Sequence, residues 1–132
     1  ASTLKIYQQQ RKYIKNILSE KDYKYFSFQV WQEGLARYNE WAILSELEDY
    51  KPSLECQSLG DFIAFQEVAE DLYARELAQL YRLSLASGKR TCFYSIGFGE
   101  GILLDKLSKS WKKRYQREKF FIEKYMPKSM KR

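Results

Sequence analysis

Apolar side chains in this chain return at intervals of three, four and seven residues, and nowhere do they alternate regularly with polar ones. Leu4, Tyr7, Ile14, Ile17 and Leu18 form one such stripe. Val30, Trp31, Leu35, Tyr38, Trp41, Ala42 and Leu44 form a broader one. A period near 3.6 gathers these residues on one face of a helix, whereas a half-buried strand needs a period of two. The chain is therefore expected to be all-α.

The punctuation divides it into elements. Ser2 is a candidate N-cap for a first helix that ends near Ser19, where Glu20-Lys21-Asp22 reads as a polar break. A second, longer helix is expected over 23–50, with Tyr23 to Phe28 as an aromatic lead-in and Ser27 as a cap candidate. Lys51-Pro52-Ser53 stops it, because proline cannot continue a helix and restricts the residue before it. Ser58 is expected to cap a third helix that buries Phe62, Phe65, Val68, Ala69, Leu72, Leu80 and Leu83. Ala86-Ser87-Gly88 ends it. Thr91 can cap a fourth helix, to about Leu107. Ser108 or Ser110 can cap a fifth, Trp111 to Tyr125, ended by Pro127. The reading is one domain over residues 1–132, a bundle of four to five helices.

Length and composition agree with this. A chain of 132 residues closes one core but not two. Aromatic residues make up 17%, and large rings bury much area each, so they read first as core. No apolar run approaches the ~20 residues of a membrane span, and no charged-then-apolar leader opens the chain. Cys56 and Cys92 lack metal-site spacing and read as free thiols, with a single bridge as the alternative. Histidine is absent. That excludes a histidine general base, a Ser-His-Asp triad and any zinc site built on imidazole within this chain.

Charge is distributed unevenly. Residues 33–76 carry 3 basic and 11 acidic groups, whereas residues 105–132 carry 11 basic and 3 acidic. Glu67, Glu70, Asp71 and Glu76 read as the solvated face of the third helix, with tenths of a kcal/mol in i,i+4 pairs. The basic run holds Lys112, Lys113, Arg114, Arg117 and Lys119 among Trp111, Tyr115, Phe120 and Phe121. Such a helix could meet an acidic protein, or less readily nucleic acid. A core stripe of Trp111, Tyr115, Ile122 and Tyr125 at helical spacing, edged by snorkelling lysines, explains the same pattern.

Gly97-Phe98-Gly99-Glu100-Gly101 matches neither a dinucleotide fingerprint nor a Walker loop. Each glycine costs a helix about 1 kcal/mol, so three in five residues need a reason. Gly97 and Gly101 lie one turn apart, which suits close approach of another helix. Glu100 then reads as a helix-surface charge, with a group turned into a cleft as the alternative.

The segment Val30-Trp31-Gln32-Glu33-Gly34-Leu35-Ala36-Arg37-Tyr38-Asn39-Glu40 resembles the third-ligand helix of gluzincin metallopeptidases of the aminopeptidase N type. A second stretch, Tyr94, Gly97, Gly99, Leu103-Leu104-Asp105, Leu107 and Trp111-Lys112, looks like the late helices of some bacterial metallopeptidases. The resemblance implies that Glu33 is a zinc-ligand position, lining a cleft between the first two helices. It implies that Gly34 is a close-contact position, with Tyr38 beside it, and that Asp105 caps or braces the next helix. It also implies a His-Glu-x-x-His helix, and this chain has none. The chain is thus expected to be catalytically incompetent by itself and to take zinc only if a missing N-terminal half supplies the histidines. The plain reading of Glu33 is an acid in a helix's first turn, where it favours the dipole. The competing functional reading is a small binding protein that uses its basic C-terminal helix.

Overall fold

The computed structural model describes residues 3–47 and 49–128; the Ser2 cap position lies outside them. Every regular element among the described residues is helical. The order is α1 (Thr3–Ile17), α2 (Glu20–Gln29), a π-turn (Val30–Gly34), α3 (Leu35–Glu46), α4 (Leu54–Gln57), α5 (Phe65–Leu80), α6 (Leu85–Gly88) and α7 (Cys92–Leu107). The fold is an all-α bundle. Among the described residues no helix is long and apolar enough to cross a membrane, and Cys56 and Cys92 are both free thiols.

Several boundaries move for local reasons. Glu20-Lys21-Asp22 is the first turn of α2 rather than a break. The Ser19 hydroxyl accepts from the Asp22 amide at 3.1 Å, and Glu20 and Asp22 complement the positive end of the helix. Tyr23 to Phe28 therefore lies inside a helix, and Ser27 caps nothing; it is fully buried. The expected third helix begins late. Ser53, not Ser58, acts as a cap, and it caps the single turn of α4. Turn-forming Gly60-Asp61 then interrupts the chain before α5 begins at Phe65. Phe62 and Leu83 fall outside that helix. Thr91 precedes α7 as expected, but its hydroxyl donates back to the Gly88 carbonyl at 2.6 Å instead of capping α7.

The fifth helix does not form. Residues 111–125 run through two 3-10 turns, Trp111–Lys113 and Ile122–Lys124, with Phe120 at φ +79°. Three of the four residues that suggested a helix are buried nonetheless: Trp111, Ile122 and Tyr125 are at most 2% exposed, and Tyr115 is half-buried. Aromatic packing replaces the helical ladder. The Tyr125 hydroxyl accepts from Trp31 Nε1 at 3.1 Å and lies 2.9 Å from the Glu118 carbonyl. Trp31 stacks on Tyr115 with ring centroids 4.9 Å apart. Arg114 binds Glu118 and the Lys124 carbonyl, closing the segment on itself.

Helix α7 is the centre. It packs on the π-turn and α3 along one side and on α5 along another, while α1 lies along α2. Val30, Leu35, Tyr38, Phe98 and Leu104 are fully buried around it. At about 1.5–3 kcal/mol for each large apolar side chain, this cluster supplies the main driving force of the fold.

Candidate functional site

The gluzincin-like segment lies where two helices touch backbone to backbone. A Cβ added to Gly34 would come within 2.3 Å of the Gly97 Cα and 2.6 Å of the Phe93 carbonyl oxygen. One added to Gly97 would meet the Gly34 Cα at 2.4 Å and the Val30 carbonyl oxygen at 2.5 Å. Four residues further along each helix, Gly101 lies beneath the Tyr38 ring, 2.5 Å from where its Cβ would be. So Gly34 and Tyr38 on one rod mesh with Gly97 and Gly101 on the other. The glycines expected to admit a neighbouring helix admit this one. The α2–α3 rod spreads here into a π-turn, an irregularity that often accompanies functional positions.

Glu33 sits on that π-turn. It is not in a helix's first turn, because the rod starts thirteen residues earlier, at Glu20. Its carboxylate accepts from Arg90 Nη2 at 3.0 Å, with the two side chains 22% and 65% exposed. The expected cleft against α1 is not where Glu33 lies. The cavity between α1 and α7 is lined by Arg11, Phe26, Ile96 and Glu100, and Glu33 is not part of it. Beside Glu33, the Arg37 guanidinium lies 5.3 Å from the Tyr94 ring centre and donates to Glu40 at 2.7 Å. Its Nε is 3.3 Å from the Glu76 carboxylate, which also accepts from Ser95 Oγ at 2.6 Å. Glu76 was expected on the solvated face of its helix but is 5% exposed. Asp71 is exposed and paired with Arg75, as its spacing suggested.

These donors do not suit zinc. No histidine is present, and no three His, Cys, Asp or Glu side chains among the described residues are grouped to hold a metal. One carboxylate already bonded to arginine is short of the four donors a zinc site needs.

Glu100 corrects another expectation. It is 8% exposed rather than a surface charge. Arg11, 4% exposed on α1, meets it at 3.0 Å and reaches Glu123 at 3.6 Å. Arg11 Nε donates to the Tyr7 hydroxyl at 3.2 Å, and the guanidinium lies 4.9 Å from the Phe26 ring centre. Tyr23 donates to Glu123 at 2.6 Å. The network joins α1, α2, α7 and the final wrap. Burial, aided by Glu123, pushes the Glu100 carboxyl above its usual range, although Arg11 opposes this. The sequence did hold a signal for Arg11: Leu4, Tyr7, Arg11, Ile14 and Leu18 follow the alternating three-and-four spacing of a core stripe, with an arginine in the middle.

Asp105 acts as a brace. It accepts from the Tyr38 hydroxyl and from Trp111 Nε1 at 2.8 Å, which holds the turn that follows α7. Of the five cations considered for partner binding, Lys112, Lys113, Arg117 and Lys119 are exposed, whereas Arg114 is partly buried and engaged with Glu118. They lie on turns, not on a helix. Lys131 and Arg132 lie outside the described residues.

Burial of phenols has a consequence at high pH. Tyr7, Tyr23, Tyr38, Tyr115 and Tyr125 are all raised above the usual tyrosine value of 10, in each case chiefly by burial, and Tyr23 reaches about 12. Between those two values the unfolded chain has released protons that the native state still holds. Stability is therefore fully present below pH 10 and falls as pH rises toward 12. Phenolate absorbance of these rings and loss of far-ultraviolet circular dichroism should rise together in one cooperative step above pH 10. Ionisation of all the rings well ahead of unfolding would contradict this.

No protein-family profile, curated protein or solved structure matches this chain.

Proposed function

We propose that this chain is the helical, catalytically incomplete part of a gluzincin-like metallopeptidase, in which Glu33 completes a zinc site whose histidines come from a segment absent from the sequence. The observation that supports the reading is the setting of Glu33. Its backbone is pinned by the Gly34–Gly97 contact, while its carboxylate is held by a largely exposed arginine. Water screens such a pair, so another cation displaces it readily. A rigid backbone with a releasable carboxylate suits a ligand that awaits its metal. Among the described residues there is no donor set for zinc, and no peptidase activity is expected from this chain by itself.

The test is the native coding region upstream of the Ala1 codon, followed by metal analysis of the complete product. The reading requires an in-frame His-Glu-x-x-His helix and bound zinc that Glu33→Gln largely removes. Residues 1–132 alone should lose zinc on dialysis. An upstream region without that helix would overturn the proposal, as would full zinc retention by Glu33→Gln.

A further inference from the structure

A second cavity, of about 310 Å³, opens between α3, the end of α5, α6 and the start of α7. Three guanidinium groups line it. Arg75 and Arg82 come from α5 and the residues just after it, and Arg37 comes from α3. Ser84, Ser87 and Ser95 join them; Ser87 Oγ donates to the Ser84 carbonyl at 3.4 Å and Ser95 Oγ to Glu76.

In the lining itself three arginines face one carboxylate, and Glu40 and Asp71 pair with two of those arginines from outside it. Glu76, the carboxylate in the lining, is already matched by Arg37 and bonded by Ser95. Arg37 is further engaged with Glu40. The cations left over are Arg82 and Arg75. Arg82 has no ion-pair partner among the described residues. Arg75 is held by Asp71, but both side chains are more than half exposed, so the pair restrains it by only tenths of a kcal/mol.

We infer that this cavity binds a compact oxyanion, a phosphate monoester or a small dicarboxylate, through Arg82 and Arg75 and the hydroxyl of nearby Ser84. Guanidinium forks match the two oxygens of a carboxylate or phosphate, which a point-charge lysine would not. The volume is at the small end of ligand sites, and suits a metabolite-sized anion rather than a polymer. The inference is independent of the zinc reading, since neither Glu33 nor a metal takes part.

The test uses the intact chain at constant ionic strength, with inorganic phosphate and glutarate titrated separately. The readouts are thermal melting and amide resonances. One of the two anions, or both, should give a saturable rise in Tm with shifts centred on Arg82, Ser84 and Ser87. Saturation by phosphate alone identifies a phosphate ester as the natural class, and saturation by glutarate alone a dicarboxylate. Arg82→Gln should weaken binding about tenfold, the scale of one charge-assisted contact, and Arg75→Gln by somewhat less. Both side chains are exposed, so both variants should fold. Lys12→Gln, with the same loss of charge on the exposed face of α1, should bind as the parent does. The inference is overturned if neither anion saturates by about 10 mM, a binding free energy of under ~3 kcal/mol. It is equally overturned if Arg82→Gln leaves binding unchanged, or if Lys12→Gln weakens it as much.

Discussion

Gly97→Ala is expected to destabilise the protein by about 3 kcal/mol, the upper end of overpacking costs, and so to lower Tm by roughly 10 °C for a chain of this size. The added methyl group would lie 2.4 Å from the Gly34 Cα and 2.5 Å from the Val30 carbonyl oxygen. Both are backbone atoms, so no rotamer change relieves the clash. The two central helices would have to separate along their line of contact. The same substitution elsewhere serves as the control. A Cβ at Gly99 meets only the end of the Leu80 side chain, at 2.9 Å, which can swing aside. Helix propensity then offsets the strain by up to ~1 kcal/mol, and Gly99→Ala should be near neutral. Gly60 has nothing within 4 Å of its added Cβ and no positive φ, so Gly60→Ala should stabilise by about 0.4–1 kcal/mol through the unfolded chain. Urea denaturation of the three variants decides the matter. Equal midpoints for Gly97→Ala and Gly99→Ala would refute the close-contact account. Gly34→Ala combined with Gly97→Ala should cost less than the sum, because helices already parted accommodate a second methyl group.

Arg11→Met should cost about 3–5 kcal/mol, the range for breaking a buried ion pair from one side. The side-chain volume is kept and the charge is lost. Glu100, 8% exposed, is then left without its counter-ion, and the Tyr7 hydroxyl loses its donor. Glu123 suffers less, because its side chain is 25% exposed and it keeps its bond from Tyr23. Removing the charge on both sides, with Arg11→Met and Glu100→Leu together, should recover most of the loss, since two apolar side chains of similar size replace an ion pair that was expensive to desolvate. The sign with pH follows from Glu100. Its folded pKa is raised above the ordinary 4.5, and loss of Arg11 raises it further. Across that window the native state holds a proton that the unfolded chain has released, so stability falls as pH rises. The gap between Arg11→Met and the parent should therefore narrow as pH drops toward 4.5. A gap that widens in acid would show that the Arg11–Glu100 pair is not the source of the effect.

Much of the fold was legible because helix formation is read from near neighbours. The stripe through Leu4 and Leu18 and the helix between Thr91 and Leu107 needed nothing beyond local spacing, whereas the helix expected to run to residue 50 ends at Glu46, short of the stop at Pro52. Ser19 was misread as an ending because a polar cluster marks a helix start as readily as a stop. The difference lay in one hydrogen bond, from the Asp22 amide to the Ser19 hydroxyl. Of the stripe Trp111, Tyr115, Ile122 and Tyr125, all but the half-buried Tyr115 are core residues. Their helical spacing was coincidental, however, because a wrap that places the Tyr125 hydroxyl against Trp31 and the Glu118 carbonyl buries the same rings without a helix. At the candidate site Glu33 was legible as a residue, and its neighbours were not. Arg90 is 57 positions away, and Glu100 finds Arg11 across 89.

The sequence by itself determined the class of the protein. Periodic burial makes it all-α, the glycines permit one close crossing of helices, and the absence of histidine denies these 132 residues an imidazole-based zinc site of their own. Those properties depend on residue identity and on spacings within a few turns. Only the tertiary structure decided which helix the glycines admit, that Glu100 and Glu76 are buried, and that Arg37, Arg75 and Arg82 share one cavity. These depend on which distant surfaces meet. A buried charge or a backbone contact is favourable only once its partner has arrived, and the partner's arrival is a property of the whole packed chain.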